Sequence, residues 1–144
     1  MTKMIDISGK DHVTRIATAS GFIKLNSESL RRIKNEEVPK GDVLSVAKTS
    51  GIMAVKNTPD VVPLAHPIPI TGVEIDFVFE ENGIRTKVEV KSRGQTGVEM
   101  EALTGVSASL LTIWDMIKSF EKDESGQYPD TKIKDIVVEE KVKK

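Results

Sequence analysis

The chain has 144 residues, no cysteine and a formal net charge of −1, although 30% of its residues are charged. A chain of this size can bury one core but is short for two, so we expect a single domain over 1–144, with 1–12 and 139–144 flexible. The small net charge argues against a broad nucleic-acid-binding surface, and the lack of cysteine excludes disulfides, thiolate metal sites and cysteine nucleophiles. No apolar run approaches membrane-spanning length and no signal peptide is visible at the N-terminus, so we expect a cytoplasmic protein.

The first third of the chain predicts a strand and two helices. β-branched and aromatic residues favour a strand over 16–25, and Ser27 is expected to cap a short amphipathic helix that ends near Ile33. After a break at 39–41, Asp42 can cap a second helix from Val43 to about Lys56. Small side chains line the predicted inner face of this helix. They permit close approach of another helix or of a ligand, and both interpretations stay open.

The middle of the chain predicts a loop and a hairpin. Residues 58–60 predict a turn, and the three prolines between 63 and 69 predict a stiff loop that presents His66. An imidazole on a rigid loop can donate a proton to a phosphate or a base, although a lone loop histidine is usually only solvated. Residues 73–79 and 84–91 alternate apolar and polar side chains around an Asn82-Gly83 step, which predicts a tight hairpin with one buried face.

The longest predicted helix runs from about residue 97 to Phe120. Thr96 followed by Glu99 fits a capping box. Asp115 and Lys118 share a face of a segment that otherwise looks buried, although a surface ion pair is the ordinary interpretation of this spacing. Glu101 lies fourteen residues before Asp115, about 21 Å along the axis. One compact ligand can therefore contact both only if a second copy of the chain supplies one of them.

The order of these elements predicts the fold. A polar break over 121–129 precedes a last strand at 131–138 and a charged tail at 139–144. The resulting β-α-β-β-α-β order, with an extra short helix, is typical of a ferredoxin-like α+β sandwich with an antiparallel sheet. Two helices on one face of the sheet leave the other face available to a partner.

Four segments together resemble the cyclic pyranopterin monophosphate synthase (MoaC) family of molybdenum cofactor biosynthesis: Lys-Gly-Asp-Val at 40–43, Pro-Leu-Ala-His-Pro at 63–67, Thr-Gly-Val-Glu-Met-Glu-Ala-Leu-Thr at 96–104 and Leu-Thr-Ile-Trp-Asp-Met-Ile-Lys at 111–118. The resemblance implies a lyase that converts (8S)-3',8-cyclo-7,8-dihydroguanosine 5'-triphosphate to cyclic pyranopterin monophosphate and releases pyrophosphate. It also implies a homohexamer, a trimer of dimers, with sites between subunits. The sequence assigns no cofactor or metal site, although Mg²⁺ could accompany the triphosphate, and we expect no nucleic-acid or membrane partner.

The resemblance also implies a set of site residues. It makes Asp115 and Lys118 the catalytic acid–base pair. The residues that it places around the substrate are Lys10, Arg15, Lys40, Lys56 and His66 at the phosphates, Glu99, Met100 and Glu101 at the pterin-forming end, and Leu64 and Ala65 beside His66. Members commonly carry Cys at the position of Ala65 and often Lys at that of Gln95, so we expect no sulfur chemistry at the first and no ionic role at the second.

Two other classes of protein remain as alternatives. A ferredoxin-like regulatory module that binds a nucleotide without turnover would need the phosphate-binding cations but not Asp115 and Lys118. An RNA-binding sheet would need exposed aromatic residues and a basic face. The predicted hairpin offers only Phe77 and Phe79, which alternate with acidic residues, so the sequence disfavours RNA binding.

Overall fold

A computed structural model that describes residues 1–144 shows a four-stranded sheet with helices packed on one face. The elements are β1 (Val13–Lys24), α1 (Ser27–Lys34), α2 (Val43–Lys56), α3 (Thr58–Val61), β2 (Ile70–Glu80), β3 (Gly83–Gly94), α4 (Glu99–Glu121) and β4 (Lys132–Lys143). The strand order is β2-β3-β1-β4, and every neighbouring pair is antiparallel. The ferredoxin-like α+β prediction is confirmed, with α1 as the extra short helix and α3 where a turn was expected. None of the helices has the length and apolar character needed to cross a membrane.

The two main helices, α2 and α4, pack closely against each other. A Cβ atom at Gly51 would lie 2.6 Å from Cδ1 of Ile75 and 3.2 Å from the carbonyl oxygen of Gly105. Nearby, the Thr112 hydroxyl donates to the Ser50 hydroxyl at 2.8 Å. The glycine of α2 therefore serves helix packing, which decides between the two interpretations that the sequence left open.

Two of the predicted helix caps are wrong. α4 begins at Glu99 without a side-chain cap, so Thr96 and Glu99 form no capping box. The Glu99 carboxylate instead lies 3.7 Å from Nζ of Lys141. α1 is capped by Asn26 and not by Ser27, whereas Asp42 caps α2 as predicted, accepting from the Ser45 N–H at 3.2 Å.

The edge strand is longer than the sequence suggested. β4 continues to Lys143 instead of ending at Val138, because residues 140–143 pair with residues 15–18 of β1. Arg15 pairs with Lys143 in this added stretch. The pairing register of β1 and β4 shifts twice, between Thr18 and Ala19 and between Ser20 and Phe22. The charged residues expected to form a tail therefore reach the N-terminal end of α4.

The predicted hairpin is present, but its glycine has another role. The turn has two residues, and neither Asn82 nor Gly83 has a positive φ. A side chain at Gly83 would collide with the carbonyl oxygen of Ile23 and the ring of Phe22. Glycine is thus required here by the close approach of β1 and not by the conformation of the turn.

The sheet face opposite the helices is covered by charged side chains. Arg85 pairs with Glu80 at 2.7 Å, and Lys87 lies 3.8 Å from Glu139. Phe77 and Phe79 are partly buried and pack against the core cluster. Phe22 of β1 does lie on the open face, but it is 3% exposed beneath Arg85 and Lys134, so this face offers no exposed ring for RNA stacking.

Candidate functional site

Asp115 lies in the C-terminal third of α4 and contacts two lysines. Nζ of Lys118 is 3.1 Å from Oδ1, and Nζ of Lys40 is 3.1 Å from Oδ2. Lys40 also donates to the main-chain carbonyl of Asp115 at 2.9 Å. The loop before α2 can reach this far along α4 because the two helices run antiparallel. The structure thus unites a residue expected at the phosphates with the expected acid–base pair.

This cluster is exposed, contrary to the expectation that Asp115 and Lys118 lie in a buried segment. The exposed fraction of the side chain is 58% for Asp115, 47% for Lys40 and 43% for Lys118. Hydrogen bonds first from Lys40 and then from Lys118 lower the pKa of Asp115 below its ordinary value. Asp115 is therefore ionised near neutral pH, where it can accept a proton or orient the two ammonium groups.

An apolar groove adjoins the cluster. It has a volume of about 390 Å³ and is lined by Leu111, Trp114 and Ile133 in addition to Asp115 and Lys118. The Trp114 ring packs edge-on against Tyr128, with ring centroids 5.1 Å apart. A flat organic group could lie in this groove while its anionic part contacts the lysines.

A second pocket, of about 370 Å³, lies at the N-terminal end of α4. We call it the α4 pocket; its lining residues are Lys10, Arg15, Ile16, Thr96, Gly97, Val98, Glu99, Lys141, Val142 and Lys143. Four of these side chains are cationic and only one is acidic. A helix N-terminus attracts anions through its free N–H groups and its dipole. The pocket therefore suits a phosphate-bearing ligand.

Two cations of the α4 pocket were missed in the sequence. Lys141 and Lys143 come from the part of β4 that was expected to be a charged tail. The sequence did indicate that the strand continues here, because Val142 between two lysines continues the alternation of a strand with one polar face. Of the expected cations, Lys10 lines the pocket, and Arg15 is held in place by donating from Nε to the carbonyl of Gly94 at 3.2 Å.

His66 lies in the loop after α3, next to the N-terminal segment. A groove of about 490 Å³ runs between His66 and the segment 4–8. The Ser8 N–H, which donates to the Asp6 carboxylate at 2.8 Å, lowers the pKa of Asp6, and the charge of nearby His66 acts in the same direction. Leu64 is exposed and Ala65 is half-buried beside His66. Lys56, at the end of α2, is exposed and forms no ion pair.

Glu101 is buried, although it is a carboxylic acid. Its exposed fraction is 3%, and no other side chain forms a hydrogen bond or ion pair with it. It precedes Gly105 by one helical turn and therefore faces α2. Burial raises the pKa of Glu101, and the charge of Glu99 adds to this effect. Buried, unpaired carboxyls with a shifted pKa are enriched at functional sites. Its neighbour Met100 is exposed.

The two ends of α4 stay apart within one chain. The helix is continuous from Glu99 to Glu121, so the fourteen residues between Glu101 and Asp115 span about 21 Å. The structure therefore groups six of the twelve expected residues into two clusters: Lys40, Asp115 and Lys118 at one end, and Lys10, Arg15 and Glu99 at the other. The other six, Lys56, Leu64, Ala65, His66, Met100 and Glu101, are in neither cluster.

The fold defines a ferredoxin-like α+β protein, and its two clusters carry cations whose charge suits an anionic ligand. The MoaC family model matches residues 4–143, and the chain belongs to this family. A protein of Archaeoglobus fulgidus named "Probable cyclic pyranopterin monophosphate synthase" is 60% identical over 141 residues, which cover 98% of this chain and 90% of the relative. Proteins of the same name are 57% identical in Methanococcoides burtonii (97% and 88% covered) and 55% identical in Sulfurisphaera tokodaii (98% and 93% covered).

Proposed function

We propose that this protein is a cyclic pyranopterin monophosphate synthase, a lyase of molybdenum cofactor biosynthesis. It would convert (8S)-3',8-cyclo-7,8-dihydroguanosine 5'-triphosphate to cyclic pyranopterin monophosphate and release pyrophosphate. The observation that carries the proposal is the cluster of Lys40, Asp115 and Lys118, since it joins a carboxylate that could accept a proton to two cations that could bind phosphate. Family membership and the names of the relatives support the same activity.

The charges of the cluster suit the chemistry of ring closure. A ribose hydroxyl attacks the α-phosphorus, the bond from this phosphorus to the bridging oxygen breaks, and the pyrophosphate leaves. A base must accept the hydroxyl proton, and ionised Asp115 can do so, with the ammonium group of Lys118 beside it as the acid. Fixed ammonium groups at Lys40 and Lys118 would neutralise the charge that develops on the leaving group.

The remaining site residues would hold the rest of the substrate. Lys10, Arg15 and Lys141 in the α4 pocket suit the triphosphate because they are cations at a helix N-terminus. The residues proposed to contact the substrate elsewhere are Lys56 and His66 at the phosphates, Leu64 and Ala65 beside them, and Glu99, Met100 and Glu101 at the pterin-forming end. Mg²⁺ enters the proposal only as a counter-ion of the triphosphate. A substrate derived from GTP favours a cytoplasmic reaction.

We propose that the complete site forms between subunits of a homohexamer, arranged as a trimer of dimers. The support is the separation of Glu101 from Asp115 along one continuous helix. Subunit complementation tests this arrangement directly. Glu101→Gln and Asp115→Asn chains should each be inactive alone, but mixed oligomers made from the two should regain part of the wild-type turnover, because some sites would then combine two unmodified residues. Mixed oligomers that form but stay inactive would refute a shared site.

The alternative, a nucleotide-binding module without turnover, requires only the α4 pocket. It is not favoured, because such a module has no need of an aspartate held between two lysines. Isothermal titration with the cyclised dihydro-GTP triphosphate, run beside an assay of pyrophosphate release, separates the two functions. Release of pyrophosphate supports the synthase, and tight binding without release would establish the module.

A further inference from the structure

Gln95 makes an unusual set of contacts with the N-terminal segment. Its Nε2 atom lies 3.2 Å from the carbonyl oxygen of Ile7, 3.3 Å from that of Ser8 and 3.0 Å from that of Lys10. The Lys10 N–H donates to the Ile7 carbonyl at 3.0 Å, so the segment forms a turn around the amide. This turn therefore depends on a side chain just after the end of β3, 85 residues further along the chain than Lys10.

The anchored segment touches two parts of the candidate site. Lys10, at its end, lines the α4 pocket. Asp6, at its beginning, shares a groove with His66 and with Gln95 itself. The segment has no helix or strand of its own to fix these positions. The Gln95 contacts are its hydrogen bonds to the body of the protein.

We propose that Gln95 is a positioning residue that holds the segment 6–10 across the loop of His66 and so fixes Lys10 in the α4 pocket. The inference rests on the proposed function only in taking the substrate triphosphate as the ligand of Lys10. Gln95 itself lines the groove beside His66 and not the α4 pocket, so its effect on the phosphates passes through Lys10.

The chemistry of the contact predicts which replacements preserve it. A glutamine amide has two N–H donors, and here it faces three acceptors. A lysine ammonium carries three donors and can satisfy the same carbonyl oxygens. A glutamate carboxylate only accepts, so it would face three acceptors and repel them. Gln95→Lys should therefore retain the anchored segment, whereas Gln95→Ala and Gln95→Glu should release it.

The first measurement is independent of activity. Cleavage by endoproteinase Asp-N between Lys10 and Asp11 reports release of the segment, and its rate should rise at least fivefold in Gln95→Ala and Gln95→Glu but stay near wild type in Gln95→Lys. Gln127→Ala is the matched control, since Gln127 lies in the exposed turn after α4 and its side chain forms no hydrogen bond. Equal cleavage of all variants would overturn the anchoring role.

The second measurement is kinetic. Gln95→Ala should raise KM for the cyclised dihydro-GTP triphosphate about tenfold, equivalent to about 1.4 kcal/mol, with kcat changed less than twofold. Adding Gln95→Ala to a Lys10→Ala protein should raise KM no further, because the two residues act on one contact. Independent, additive effects, or a fall in kcat alone, would contradict positioning through Lys10.

The two proposals fail in different ways. Absence of turnover in the unmodified protein would refute the proposed function, and the protease measurement would still decide whether Gln95 anchors the segment. Turnover with unchanged KM in all Gln95 variants would refute the positioning role and leave the synthase activity established.

Discussion

Replacing Glu121 by alanine should destabilise the fold by about 3 kcal/mol. Glu121 is the last residue of α4 and its exposed fraction is 3%. Its carboxylate accepts from the Asn26 N–H at 3.0 Å, from the Thr131 hydroxyl at 2.6 Å and from the Ser29 hydroxyl. One side chain thus ties the end of α4 to the start of α1 and to the residue before β4.

The magnitude follows from the donors left behind. A buried donor without a partner costs about 1 to 3 kcal/mol, and the alanine variant leaves two buried hydroxyls and the half-buried Asn26 N–H without their acceptor. Ser29 is fully buried and Thr131 is 7% exposed, so water reaches the site only after local rearrangement. Because the loop after α4 can relax, we take the lower end of the range, about 3 kcal/mol, which corresponds to a fall in Tm of roughly 6 to 12 °C for a chain of this size.

Urea unfolding followed by the fluorescence of Trp114, the single tryptophan, measures this loss. Glu124→Ala is the matched control, since Glu124 is exposed in the turn after α4 and should change stability by less than about 0.5 kcal/mol. Glu121→Gln should lie in between, because its amide oxygen accepts but its NH₂ group does not. A loss below about 1 kcal/mol for Glu121→Ala would refute the account of the buried network.

Three further predictions concern stability. Gly51→Ala should lower the free energy of unfolding, measured in urea, by about 1 to 2 kcal/mol, because the added Cβ would lie 2.6 Å from Cδ1 of Ile75. This cost should exceed the gain from the higher helix propensity of alanine. Equal or greater stability would show that α2 and α4 separate easily. Asp42→Ala should cost about 1 kcal/mol in the same assay, because it removes the cap of α2, and an unchanged midpoint would contradict that role. Burial raises the pKa of Glu101 above the value of 4.5 expected in the unfolded chain, so wild-type stability falls as pH rises through the raised pKa. Glu101→Gln should therefore have a higher Tm than the wild type at pH 7 and the same Tm near pH 4. A higher Tm only at low pH would contradict a raised pKa of Glu101.

Much of the fold could be predicted because it depends on local patterns. The alternation around Asn82 predicted the hairpin, and the spacing of apolar residues predicted α4 to within about two residues at each end. The cap of α4 could not be predicted, because it depends on a distant partner, whereas the end of β4 was missed although Val142 continues the alternation of the strand. Glu99 pairs with Lys141 instead of capping its own helix, and residues 140–143 of β4 pair with residues 15–18 of β1.

The resemblance implied the expected site residues, but neither their arrangement nor the added cations Lys141 and Lys143. The resemblance supplied Asp115 and Lys118, yet helical periodicity could not show that they are exposed or that Lys40 joins them from the loop before α2. Lys141 was overlooked because a charged C-terminal stretch has the composition of a frayed tail. Gln95 looked like a lost ionic contact, whereas its amide faces three carbonyl oxygens that only the tertiary structure brings together.

The most direct test of the proposed function is incubation of the purified protein with the cyclised dihydro-GTP triphosphate, following pyrophosphate release and the cyclic phosphate product. The unmodified protein should turn the substrate over, and Asp115→Asn and Lys118→Ala should each lower kcat at least about 100-fold without loss of fold. Lys122→Ala, an exposed lysine just after α4, should remain active as the control. Product formation that survives both substitutions, or tight binding without any product from the unmodified chain, would contradict the assignment of this cluster as the catalytic centre of a synthase.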